Sequence, residues 1–269
     1  MHESLSRVFA VKHEYSVGQD VLEDMKSWFG EYTERFRLPD PGQQHHLTLK
    51  IKHSLQVCGE IRDLAKSIGL GRGGQRLAEA IALLHDVGRF EQYLRYQTFA
   101  DFKSEDHAAL GAKILSTQAF LNKLDPNARR LILHAVSCHN KAELPPHHKP
   151  EYMLFARLIR DADKLDILRI VLAQQYGDLG LGLSRNPVVA DAVVDDILAG
   201  RLVKAQNIKT LNDFKILQMG WIYDINFPLT FEKIKQRDYL ERIYQTLPRT
   251  EQTALVYQKA SDYLTRQCG

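Results

Sequence analysis

An all-α fold is predicted for this chain by three observations. Apolar residues recur at three- and four-residue steps, the runs end at glycine, proline or capping residues, and no segment alternates apolar with polar side chains as a strand does. Val21, Leu22, Met25, Trp28, Phe29 and Tyr32 form the first stripe, and residues 46–68 repeat the pattern before Gly69 and the GRGG loop. Further helices are predicted over residues 75–87, 106–124, 126–139 and 151–176. Ser104 stands three residues before His107, with Glu105 and Asp106 between them, and is expected to cap the helix that His107 enters. Residues 96–104 are polar and irregular, and KAELPPHHKP is a proline-broken loop. Past Gly177, GDLGLGLSRNP reads as a linker, followed by amphipathic helices over residues 188–198 and 231–247. The expected organisation is a helical core over residues 1–176 and a helical extension over residues 177–269 packed on it. Aromatic residues of the extension (Trp221, Tyr223, Phe227, Phe231, Tyr239, Tyr244) read as added core or a homodimer face, with a lid as a third role.

Composition narrows the function classes. The chain has 269 residues, 44% of them hydrophobic and 26% charged, with a formal net charge of +3. That balance is globular and too mildly basic for a stable nucleic-acid complex, while small phosphorylated ligands remain compatible. Cys58, Cys138 and Cys268 are odd in number and lack CxxC spacing, so neither a disulfide framework nor a thiolate zinc site is expected. The opening MHESLSRVFAVKHEY has no signal-peptide core, and no run approaches the roughly 18 apolar residues of a membrane helix. A soluble, cytoplasmic protein without membrane contact is the expectation.

The chemistry centres on His85-Asp86, which closes the apolar run LAEAIALL. A buried imidazole and carboxylate need hydrogen bonds, an opposite charge or a metal ion. His53 shares a helical face with Leu49 and Val57; His85 follows Ile81 by four residues and Asp86 follows Ala82 by four. His107 precedes Ala108, Ala109 and Gly111, small residues that let another helix approach. His134 and His139, five apart, face different ways; His139, beside Asn140 and a loop, is the better ligand, and His134 is structural. In ARLIRDADKLDILRIVLA, Asp163 lies between Ile159 and Ile167 on an inward face, whereas Asp161 with Arg157 and Asp166 with Arg169 read as surface or edge ion pairs. His53, His85, Asp86, His107, His139 and Asp163 thus form a nitrogen and oxygen donor set suited to Mn, Fe, Co, Ni or Zn. Asp86 has the denticity to bridge two ions, a centre that activates water against a phosphoryl group.

These residues resemble the HD-domain superfamily of metal-dependent phosphohydrolases, whose signature is a His, a His-Asp pair and a distant Asp on an all-α scaffold. Here those are His53, His85-Asp86 and Asp163, the last in the context Ala162-Asp163-Lys164-Leu165, and the likeness covers roughly residues 46–172. The resemblance implies an HD-domain helical bundle and one or two divalent ions (Mn, Fe, Co, Ni, Zn or Mg). It implies a nucleotide or other small phosphate ester as substrate. His107 and His139 resemble the additional histidines of binuclear subfamilies. Arg89 and Lys164 stand where relatives set cations against substrate phosphate, so Asp86, Arg89 and Lys164 are the implied catalytic residues. Thr98, Asp101 and Ser104 are placed at the pocket rim, and Glu105, Asp106 and Asp161 remain unranked as general acid or base. The paired histidines and GYP loop of the HD-GYP phosphodiesterases are absent, with Cys138-His139-Asn140 and LPPHHKP in their place, so cyclic di-GMP specificity is not implied. Two alternatives stay open: a diiron oxygenase, and a sensor module that keeps its ions without turnover.

Overall fold

The computed structural model describes residues 15–147, 149–173 and 183–269. Regular structure among them is helical, apart from one isolated bridge between Ser184 and Thr210. The all-α expectation is met. Their contacts group the chain into two compact units, Met1–Asp163 and Lys164–Gly269.

In the first unit, α1 (Gln19–Glu34) buries Val21, Leu22, Met25, Phe29 and Tyr32, the stripe read from the sequence. α2 (Pro41–Ser67) begins earlier than the apolar pattern suggests, because Asp40 accepts a hydrogen bond from the Gln43 amide and Pro41 takes the first turn. α3 spans Arg72–Leu84, and the helix predicted over residues 75–87 ends there. His85, Asp86 and Val87 form a turn, and α4 (Gly88–Tyr96), which the periodicity missed, follows it.

Helix α5 is His107–Ser116. The continuous helix expected to residue 124 stops because Thr117 and Gln118 side chains bond the Ile114 carbonyl, and Ala119–Lys123 is a separate 3-10 turn. Asp106, not Ser104, caps α5: its carboxylate accepts from the Ala108 and Ala109 amides, while the Ser104 hydroxyl donates to the Ala100 carbonyl. A charged acceptor one residue before the helix outcompetes a hydroxyl further away. α6 is Pro126–Cys138 and α7 is Pro150–Ala173, within which the unit boundary falls.

The second unit contains α8 (Asp191–Leu198), α9 (Leu211–Gly220), α10 (Pro228–Gln236), α11 (Tyr239–Tyr244) and α12 (Glu251–Cys268). Capping boxes at Thr210 and Thr250 start α9 and α12, two helices that the sequence reading omits. The helix predicted over residues 231–247 is broken at Asp238, whose φ of 51° is left-handed. Val193, Ile197, Ile216, Met219, Ile243, Val256 and Ala260 form this unit's core, with Phe231 and Tyr239 buried against it. Those two aromatics therefore serve as added core. The predicted end of α7 at residue 176 and part of the linker over residues 177–187 lie outside the described residues. Among the described residues no helix is long and apolar enough to cross a membrane.

Candidate metal centre

Five structural elements deliver the six expected donors to one place. α2 carries His53, the turn after α3 carries His85 and Asp86, α5 opens on His107, His139 caps the C-terminus of α6, and α7 carries Asp163. His53, His85, Asp86, His107 and His139 are buried, so His107 is no surface histidine, and only the Asp163 carboxylate keeps some exposure, 17%.

The geometry divides into two halves that share Asp86. Its Oδ2 lies 3.7 Å from His53 Nε2 and 3.6 Å from His85 Nε2. Asp163 Oδ1 completes that half, 3.0 Å from His53 Nε2 and 3.7 Å from His85 Nε2. On the other side Asp86 Oδ1 lies 3.3 Å from His107 Nε2 and 3.7 Å from His139 Nε2, and these two nitrogens are 3.0 Å apart. Donor atoms about 2.0–2.1 Å from one ion stand roughly 2.8–3.4 Å from each other at octahedral or tetrahedral angles, so each half is within a few tenths of an ångström of the spacing of a single coordination sphere.

Hydrogen bonds at the far side of each ring fix which nitrogen faces inward. His85 Nδ1 donates to the Ala82 carbonyl at 2.7 Å and His139 Nδ1 to the Val136 carbonyl at 2.7 Å; each acceptor lies three residues back at a helix end. His107 Nδ1 lies 2.8 Å from both oxygens of Asp101. A carbonyl or ionised carboxylate only accepts, so each neutral ring presents a bare Nε2 lone pair to the interior. His85 Nε2 is buried with no hydrogen-bond partner. Between His107 and His139, two lone pairs at 3.0 Å require a positive species, a proton or a metal ion. Burial and then the nearby Arg89 lower the His107 pKa from its ordinary 6.5, which disfavours the proton. The residues therefore fit divalent ions.

Burial alone would raise both central carboxyls. For Asp86 the Lys50 ammonium and the imidazoles of His85, His107 and His139 outweigh burial, and for Asp163 His53 and His85 do; each stays well below the usual carboxylate range. These directions give one sign for acid sensitivity. Below 6.5 the unfolded chain protonates a histidine that folded His107 leaves neutral, and below 3.8 it protonates carboxyls that the folded chain keeps ionised. Stability is expected to fall as pH drops through both windows, and metal affinity to fall with it, because the ligands bind deprotonated. Thermal melts between about pH 7.5 and 5.5 check the first window; a melting temperature that rises on acidification would contradict it.

Asp101 is a positioning group whose role exceeds the rim placement expected of it. It accepts from His107 Nδ1, from Arg89 Nη1 and Gln92 Nε2 at 2.8 Å each, and from Asn140 Nδ2 at 3.0 Å. Burial opposes ionisation of Asp101, but His107 and Arg89 hold its carboxyl below the ordinary range. Asp101→Ala is expected to lower metal affinity about 10–100-fold by freeing the His107 ring. Titration of the chelated protein with Mn or Zn, read against wild type, measures it.

The remaining candidates are placed as follows. Arg89 is held by Asp101 and Gln92, with Nε 3.6 Å from Asp86 Oδ1. Lys164, the second implied cation, is buried and pairs with Asp224, sixty residues on, at 2.6 Å within the second unit. Asp161 is fully buried, not at a surface or edge. Asp166 does pair with Arg169, at 2.6 Å, but its carboxylate is buried. Ser104 accepts from Gln92 at 2.9 Å, and Thr98 accepts from the Ala100 amide. Glu105 pairs with Arg95, and Asp106 with Lys141 and Asn140. His134 stands apart with His147 and Tyr152. Sequence reasoning missed Lys50, whose Nζ lies 2.8 Å from Asp86 Oδ2, and Gln92, which is fully buried between Arg89 and Asp101. The signal for Lys50 was present: three residues before His53 on one helix, it shares that histidine's face.

Residues 51–168 match the family model of the HD domain. That stretch is similar to the HD domain. All six donors fall inside the matched residues. HD domains are generally metal-dependent hydrolases that bind divalent ions, and the two His/Asp clusters fit an HD-type metal site. Comparison with curated proteins and with solved structures gives no match.

Proposed function

We propose that this chain is a metal-dependent phosphohydrolase of a small phosphate ester, a nucleotide foremost, working at a binuclear centre. The observation that carries the reading is the division of Asp86: one carboxylate oxygen faces His53 and His85, the other His107 and His139. His53, His85 and Asp163 would hold one ion and His107 and His139 the other, with Asp86 between them. Divalent ions bound there lower the pKa of water and offset charge developing on a phosphoryl group. The chain's own residues orient this chemistry: Ala82, Val136 and Asp101 keep the imidazoles facing inward, and burial keeps bulk water from competing. Of the two expected cations, Arg89 is the one this reading uses, a guanidinium suited to phosphate oxygens.

The absence of an activated protein nucleophile in the cysteine set supports water as the attacking group. Burial pushes the thiol of Cys138 up to about 11 and that of Cys58 up to about 12, so neither is a thiolate at neutral pH. Nucleotides, cyclic dinucleotides and sugar phosphates supplied with Mn, Co, Ni and Fe in turn form the direct assay. Release of phosphate or a monoester with at least one pair is expected; failure with every pair, on protein shown to carry metal, would contradict the reading.

A further inference from the structure

We infer that Lys50 is a substrate-phosphate contact and that the site is built for a phosphomonoester dianion. This rests on the phosphohydrolase reading and narrows it to one ester class. Lys50 lies on α2 one turn before His53 and reaches Asp86 Oδ2 at 2.8 Å. Its side chain is 21% exposed, whereas His53 and His85 beside the same oxygen are 2% and 0% exposed. The ammonium therefore sits on the solvent side of that half of the centre.

Asp86 Oδ2 has too many suitors for Lys50 to be only its counter-ion. An ion held by His53, His85 and this oxygen would lie beside the ammonium, and two cations sharing one carboxylate oxygen repel each other. Lys50 then needs another anion, and among the described residues Asp86 is the one carboxylate with which it pairs. Phe99 keeps it at the site: Lys50 Nζ lies 5.5 Å from the ring centroid, and Arg89 Cζ lies 6.0 Å from the same ring. Arg89 lies nearest the other oxygen of Asp86, with a buried Nε that has no hydrogen-bond partner. One cation flanks each oxygen of the shared carboxylate, so an oxyanion placed across the two halves meets a donor at either end.

Charge selects the ester. Two divalent ions with Lys50 and Arg89 exceed the combined charge of Asp86, Asp101 and Asp163 by three. A hydroxide and a monoester dianion supply those three charges; a diester monoanion leaves one uncompensated in a buried site.

The test is equilibrium binding of inorganic phosphate and of dimethyl phosphate to the full-length, metal-loaded protein near pH 8, with metal content measured on the same samples. Wild type is expected to bind phosphate and to bind dimethyl phosphate at least tenfold more weakly. Lys50→Met is expected to keep its metal and to lose at least tenfold in phosphate affinity, and Lys50→Arg, which keeps the charge and guards against a folding defect, to regain most of it. Undiminished phosphate binding by Lys50→Met, or loss of its metal, overturns the assignment of Lys50. Equal binding of the two anions overturns the monoester assignment. A metal-loaded wild type that binds neither anion instead sinks the phosphohydrolase reading itself.

Discussion

Replacing Asp86 with alanine is expected to release metal from both halves of the centre and to lower hydrolysis by at least about 10³-fold. The reason lies in its two oxygens, each within 3.3–3.7 Å of a different histidine pair, so no other side chain can substitute for it. Stability should change as well. Asp86 is the partner of Lys50 at 2.8 Å and lies beside four buried imidazoles; removing one member of a buried charge pair costs about 3–5 kcal/mol. The comparison variant is His134→Ala, whose ring packs with His147 and Tyr152 outside the cluster. Elemental analysis and denaturation of both proteins decide the matter: metal retained by Asp86→Ala would contradict a shared ligand.

A single methyl group at Gly88 is expected to be nearly as damaging without altering any ligand side chain. A Cβ there would lie 2.1 Å from the His107 carbonyl oxygen and 2.7 Å from the Gly111 amide nitrogen, both backbone atoms that cannot swing aside. The glycine is required by this close crossing of α4 and α5. Gly88→Ala should therefore force the two helices apart, destabilise the fold by about 3 kcal/mol or more, and carry His107 out of register with His139. Gly59, within α2, meets nothing within 4 Å, so Gly59→Ala should be neutral or stabilising by about 0.4–1 kcal/mol. Urea denaturation of the pair reads the contrast. Equal stabilities for Gly88→Ala and wild type would show that the crossing yields more easily than its geometry indicates.

The donor set was readable because its members break a local rule. His53, His85, Asp86 and Asp163 occupy helical faces that apolar neighbours claim for the interior, and charge in such places needs a partner. Small residues after His107 foretold the approach of another helix, realised where Gly111 meets Gly88. What escaped was set by tertiary contact. Asp161 has Arg157 one turn back, a spacing that reads as an edge pair, yet packing buries it completely. Lys164 finds Asp224 sixty residues later, a pairing with no local signal. The turn at His85-Asp86 was hidden because apolar periodicity runs through Val87 into Phe90. Asp106 displaced Ser104 as cap by an ordinary competition between a carboxylate and a hydroxyl, which the sequence contained and spacing alone could not decide.

The central claim is that two ions share Asp86, and metal stoichiometry tests it most directly. Full-length wild type, stripped with chelator, dialysed against Mn or Zn and counted by elemental analysis, is expected to hold about two ions per chain. The His107→Ala, His139→Ala double variant is expected to hold about one, at the half formed by His53, His85 and Asp163. One ion in wild type, or equal counts in wild type and the double variant, would contradict the binuclear centre.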